Sequence, residues 1–329
     1  MVTRIHEAIN WNEQIDNFTQ AFWDQNWLQM WKDTEFSPGK DSKVWRSMSP
    51  EERDVYKKVL GGLTLLDTEQ SIIGMPSIAY AVPELQRKAV LSFMGMMESM
   101  HAKSYSTIFT TLLVKEEIDE VFEWVKENKY LQYKAEVVTR YYKKTDTPKD
   151  LYMAMVASVL LESFLFYSGF FFPLYLAGQA PGRMVHSGEI INLILRDEAI
   201  HGLYVGMIAQ EIYITLSEAD KKEVTDETYR LLFDLMDNEY LYTEEIYAQI
   251  SLDTEVKRFL RYNANKALMN LGMEPHYDNE EINPIVENGL NTLSTHDFFS
   301  TKGFYVSGIV EPLRDEDFNM NYEDEFIVN

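Results

Sequence analysis

The chain contains no cysteine. That excludes disulfides, zinc–thiolate sites, iron–sulfur clusters and thiol nucleophiles within this polypeptide. Any redox chemistry must run through oxygen- and nitrogen-ligated metals, aromatic side chains or a bound cofactor. Glycine (15) and proline (10) are scarce among the 329 residues. They cluster at breaks between long apolar-periodic segments, and strand-like alternation is nearly absent, so the expected class is all-α. Positive charge is also short: 30 Lys+Arg face 53 Asp+Glu, a net charge of −23. A nucleic-acid binder needs a basic face for phosphates, so no nucleic-acid partner is expected. Bound cations would neutralise part of this acidity. No run reaches about 18 uncharged apolar residues, and the start MVTRIHEAINWNEQ lacks the apolar core of a secretory signal. The expectation is a cytoplasmic protein without a membrane partner.

A hydrophobic content of 46% is enough for one large core. Helical segments are expected over roughly 9–31, 50–74, 83–114, 147–177 and 188–216, with two or three more in 217–272. Ser49-Pro50-Glu51-Glu52 reads as an N-cap, a proline at the first helical position and first-turn acids. Ser187 is a candidate N-cap for the segment at 188. The segment 147–177 is apolar all round, as a central helix would be. From about 275 the pattern dissolves. After Lys302 the only basic residue is Arg314, against seven acids. Residues 286–329 therefore read as a flexible acidic tail following a helical domain at 1–285.

Two Glu-x-x-His pairs stand out, Glu98/His101 and Glu198/His201, using two of only six histidines. On a helix, positions i and i+3 lie on one face, so each pair projects together. For either pair alone, a core histidine satisfied by a neighbouring carboxylate is an equal reading. Two further carboxylates, Asp67 in LTLLDTEQSII and Glu162 in SVLLESFLF, sit in apolar helical runs. Residues 151–182 contain no lysine or arginine, so Glu162 has no local partner. Four buried carboxylates without compensation would cost many kcal/mol. Two divalent cations cancel the four negative charges, and carboxylates with one imidazole per metal suit iron or manganese. Glu69 competes with Asp67 for the position on its helix. Tyr105 follows His101 by one turn, about 6 Å further along the same face. Phe166, Phe170 and Ile194 fall at helical spacing from Glu162 and Glu198, either as ordinary core or as an apolar wall around the phenol.

Asp67, Glu98-Ser-Met-His101, Tyr105, LLESFLFYSGFF around Glu162 and RDEAIHG around Glu198 and His201 closely resemble the small subunit of class I ribonucleotide reductase. The short N-terminal extension and the wording of these runs are most similar to class Ib. The resemblance covers nearly the whole chain, in order. It implies a ferritin-like helical bundle with a dinuclear site of two Mn or two Fe ions per chain in its four-helix core. It implies a tyrosyl radical on Tyr105, passed to a large subunit that reduces ribonucleotides. Trp31 and Asp197 match a His–Asp–Trp path for electron and proton movement, and Tyr305 resembles the tail tyrosine that hands on the oxidising equivalent. Met75 falls where class Ib members shape an access channel. The tail, with Phe318 and terminal Phe326-Ile327-Val328, resembles a docking peptide. The implied partners are a second copy of the chain, the large subunit and a flavodoxin-like activator for manganese. Other readings of the pairs are an oxidase acting on a lipid-like ligand, a ferroxidase, or a scaffold whose carboxylates pair with basic groups.

Overall fold

The computed structural model describes residues 6–278 and 280–292. Among them every regular element is helical. The order is α1 (Thr19–Gln29), α2 (Ser42–Ser47), α3 (Pro50–Glu69), α4 (Met75–Ala81), α5 (Leu85–Leu112), α6 (Lys115–Glu127) and α7 (Lys129–Tyr142). There follow α8 (Pro148–Leu160), α9 (Tyr167–Ala177), α10 (Val185–Thr215), α11 (Glu218–Tyr247), α12 (Asp253–Asn270) and α13 (Pro284–Thr292).

The starts obey local chemistry. Ser49 and Glu52 form a reciprocal capping box on α3, with Pro50 behind the cap as expected. Thr147 and Ser217 cap α8 and α11 through the backbone N–H groups of Asp150 and Asp220. Ser187, however, caps nothing. Helix α10 begins two residues earlier, after Met184 in the left-handed region (φ 52°). Ser187 instead donates its N–H and hydroxyl to Asp41, both at 2.7 Å, so a carboxylate distant in sequence serves this helix start. The first segment is also shorter than its periodicity suggests. Asn10 takes the N–H of Asn12, and Asp16 takes those of Phe18 and Thr19. These local bonds compete with helix and delay α1 to Thr19. Residues 115–142, outside the expected helical segments, form α6 and α7, with Ile118, Val121, Phe122 and Val125 turned inward.

Helices α3, α5, α8–α9 and α10 pack around the core, and α10 touches both halves of the α8–α9 rod. That rod, Pro148–Ala177, is long and apolar enough to cross a membrane, yet its apolar window is wholly buried by other helices. Two π turns interrupt the core helices, at Gln70–Gly74 after α3 and at Leu161–Leu165 between α8 and α9. Wide turns of this kind recur at functional sites. Helix α13 docks on α9 with almost no space between the backbones: a Cβ on Gly178 would lie 1.8 Å from the Ile285 carbonyl oxygen. Val286 is fully buried there, so the tail boundary expected at 286 falls inside an ordered helix.

Candidate metal centre

Six side chains converge in the core. Asp67 comes from the last turn of α3, Glu98 and His101 from α5, Glu162 from the second π turn, and Glu198 and His201 from α10. All six are fully buried. Their donor atoms form two overlapping groups. One is Asp67, Glu98, His101 and Glu198; the other is Glu98, Glu162, Glu198 and His201; within each, one atom per residue lies within 4.8 Å of the others. Glu98 and Glu198 are shared. Glu69 lies outside both groups and is only partly buried, which separates it from Asp67. Helix α10 approaches the Glu162 turn closely because Gly202 lacks a side chain; a Cβ there would stand 2.3 Å from Ser163 Oγ.

Each histidine turns Nδ1 toward the carboxylates. His101 Nδ1 lies 2.8 Å from Glu198 Oε1, and His201 Nδ1 lies 2.6 Å from Glu98 Oε1. On its far side His101 Nε2 is 3.2 Å from Asp197 Oδ2. Carboxylate oxygens face both ring nitrogens; with a cation on the cluster side Nδ1 would give its lone pair and the proton would stay on Nε2, donated to Asp197. Asp197 is in turn held by Trp31 Nε1 at 2.8 Å on the same oxygen and by Gln29 Nε2 at 2.9 Å on the other. Arg196 also reaches Oδ1 at 3.3 Å. Trp31 lies nearly parallel to the His101 ring, centroids 6.3 Å apart.

The donor set is unsatisfied by protein groups. Both oxygens of Asp67, Glu98 and Glu198, Glu162 Oε2 and both Nδ1 atoms are buried without a well-formed hydrogen bond. Buried polar atoms are normally partnered, so this concentration suits bound cations. Without them the electrostatics are discordant. Burial, then repulsion from Glu98, pushes Asp67 well above the usual carboxylate range, and the same two causes raise Glu198. Burial also opposes Glu98, but the charge of His201 and the close approach of both His101 and His201 pull it down to about 2. His101 rises to about 10, against burial, through Asp197 and Glu98. Four carboxylates and two imidazoles of this layout fit two divalent ions of iron or manganese.

Tyr105 is fully buried one turn beyond His101. Burial, then the nearby Asp67 charge, pushes its phenol far above its ordinary range, so it stays protonated. Phe166, Phe170 and Ile194 are fully buried, with the two phenyl rings 5.9 Å apart. Met75 is buried at the start of α4. Tyr305, Phe318 and Phe326-Ile327-Val328 lie outside the described residues. Sequence reasoning missed the residues that hold the ligands: Gln29 and Arg196 on Asp197, and Gln70 on Glu162. Gln70 had a signal, since it stands three residues after Asp67. Arg196 stands beside Asp197 in the sequence, whereas Gln29 had no signal, because its role depends on α1 meeting α10.

The bundle and its six donors define a ferritin-like helical protein with a carboxylate- and histidine-lined site for two metal ions. The family model described as ribonucleotide reductase, small chain, matches residues 8–284. The beta subunit of ribonucleoside-diphosphate reductase from Bacillus subtilis is 55% identical over 331 residues, 99% of this chain and all of that one. The nrdF2 beta subunit of Mycobacterium tuberculosis is 41% identical, covering 95% of this chain and 96% of its own length. The solved dimanganese(II)-NrdF of Streptococcus sanguinis superposes with a TM-score of 0.84 at 44% identity, covering 87% of this chain and all of that one. The chain belongs to the ribonucleotide reductase small-chain family, in its NrdF-type, class Ib branch.

Proposed function

We propose that this chain makes and stores the oxidising equivalent for ribonucleotide reduction, with Tyr105 as the residue that carries it. Asp67, Glu98, His101, Glu162, Glu198 and His201 hold two manganese or iron ions. The observation that carries this is the set of nine buried ligand atoms that make no well-formed hydrogen bond, beside a buried phenol. When bound, the metals supply the oxidising power that takes one electron from Tyr105. The chain's own residues do the rest. Asp197 fixes the His101 tautomer, so Nδ1 binds metal while the proton stays on Nε2. The phenol stays neutral until oxidised, and Phe166, Phe170 and Ile194 keep its surroundings dry and unreactive. Trp31, Asp197 and His101 form a continuous hydrogen-bonded line from the segment after α1 to the ligands, suited to coupled electron and proton movement.

The catalytic partner is the large subunit, where nucleotide is reduced by thiols that this cysteine-free chain lacks. The chain pairs with a second copy of itself and works in the cytoplasm. Its acidic tail docks on the large subunit, with Tyr305 as the relay between them, and a flavodoxin-like protein supplies oxidant when manganese is bound, with Met75 beside its access route. Metal analysis and electron paramagnetic resonance test the centre: about two ions per chain and a tyrosyl signal are expected. Competition by a peptide of roughly the last 25 residues tests the docking. A peptide that left large-subunit binding unchanged would rule the tail out.

A further inference from the structure

One side chain joins the two π turns. Gln70, fully buried at the start of the first turn, donates Nε2 to Glu162 Oε1 at 2.5 Å and to Ser158 Oγ at 2.8 Å. Its Oε1 accepts the phenol proton of Tyr142, on α7, at 2.6 Å. The amide cannot be turned round: a carboxylate only accepts, so nitrogen must face Glu162 and oxygen must face Tyr142. The space is cut to fit this chain of bonds. A Cβ on Gly74 would lie 2.2 Å from Gln70 Oε1 and 2.8 Å from Tyr142 Cε2. The consequence falls on one ligand. Glu162 Oε1 is occupied, while Oε2 is buried, unpartnered and within reach of His201 at 3.7 Å.

We infer that Tyr142 and Gln70 form a latch that dedicates Glu162 to binding through Oε2 alone, in the group that includes His201. Gln70 is a positioning residue, and Tyr142 positions Gln70. The latch acts on one of the two ions because Glu162 belongs to only one of the two donor groups. It rests on the metal-binding reading given above.

The test is a Mn²⁺ binding isotherm with electron paramagnetic resonance of the bound ions, on the full chain and on Gln70→Met and Tyr142→Phe. Losing an orienting partner typically weakens metal binding about 10–100-fold. Gln70→Met is expected to weaken one ion by that factor and to change the coupled signal of the pair, with the other ion much less affected. Tyr142→Phe, which removes only a hydroxyl, should act in the same direction and more weakly, with the thermal midpoint of the metal-free chain little changed. Equal weakening of both ions, or none in either variant, would overturn the latch while wild type still bound two ions. A wild-type chain that bound no Mn²⁺ would overturn the latch and the metal centre together.

Discussion

Trp31 and His101 meet on a single oxygen, Asp197 Oδ2, at 2.8 and 3.2 Å. On the proposed reading this carboxylate does two things at once: it orients a metal ligand and ties that ligand to an indole in the segment that follows α1. The two roles separate by mutation. Asp197→Ala is expected to lower metal affinity about 10–100-fold, since the imidazole loses the acceptor that sets its tautomer. Trp31→Phe should leave two metals bound and slow formation of the oxidised tyrosine. Metal analysis with stopped-flow absorbance distinguishes them; a Trp31→Phe chain that lost its metals would assign the indole a packing role.

Metal loading should stabilise the fold. Each ion binds the native site and is nearly lost on unfolding, so saturation at about 100 times its dissociation constant adds about 2.7 kcal/mol. Mn²⁺ is therefore expected to raise the thermal midpoint of wild type, and to raise it less in His201→Ala. An unchanged midpoint in wild type would indicate that the buried carboxylates are satisfied by protons alone.

Gly202 sets the approach of α10 to the Glu162 turn. Gly202→Ala is expected to cost about 1–3 kcal/mol through overpacking, despite alanine's better helix propensity. Denaturant midpoints measure this directly. A stabilised variant would mean that the turn yields freely.

A pH dependence follows from Asp16. Arg87 donates to it at 2.8 and 3.1 Å, and Thr19 binds it through backbone and hydroxyl. Burial opposes its ionisation, but Thr19 and then Arg87 outweigh burial and hold it below its ordinary value of 3.8. A carboxyl depressed in the folded state contributes stability that is present above the unfolded value and lost as pH falls through the folded one. Wild type should therefore lose stability more steeply than Asp16→Asn below about pH 4. Parallel acid-unfolding curves would remove Asp16 from this role.

The metal centre was largely legible in the sequence because its signals are local. Each Glu-x-x-His pair lies within one helical turn, and Asp67 and Glu162 betray themselves as charges in apolar runs. The all-α class and the α3 cap were legible for the same reason. What escaped depends on tertiary contact. Asp41 serves the start of α10 from a turn some 146 positions away, and this displaced Ser187 from the cap. The π turns left no signature in periodicity, so the Gln70–Glu162 contact was not visible. The short helices α6 and α7 carry a helical signal in their own amphipathic spacing. The path from His101 to Trp31 entered through resemblance, and the geometry supplies its hydrogen bonds.

The central claim is that Tyr105 holds the oxidised state. The most direct measurement is electron paramagnetic resonance of wild type and Tyr105→Phe after loading with Fe²⁺ and exposure to O₂, with metal content measured on the same samples. The expected result is a tyrosyl signal in wild type, absent from Tyr105→Phe, at equal metal occupancy. The same tyrosyl signal persisting in Tyr105→Phe would contradict it.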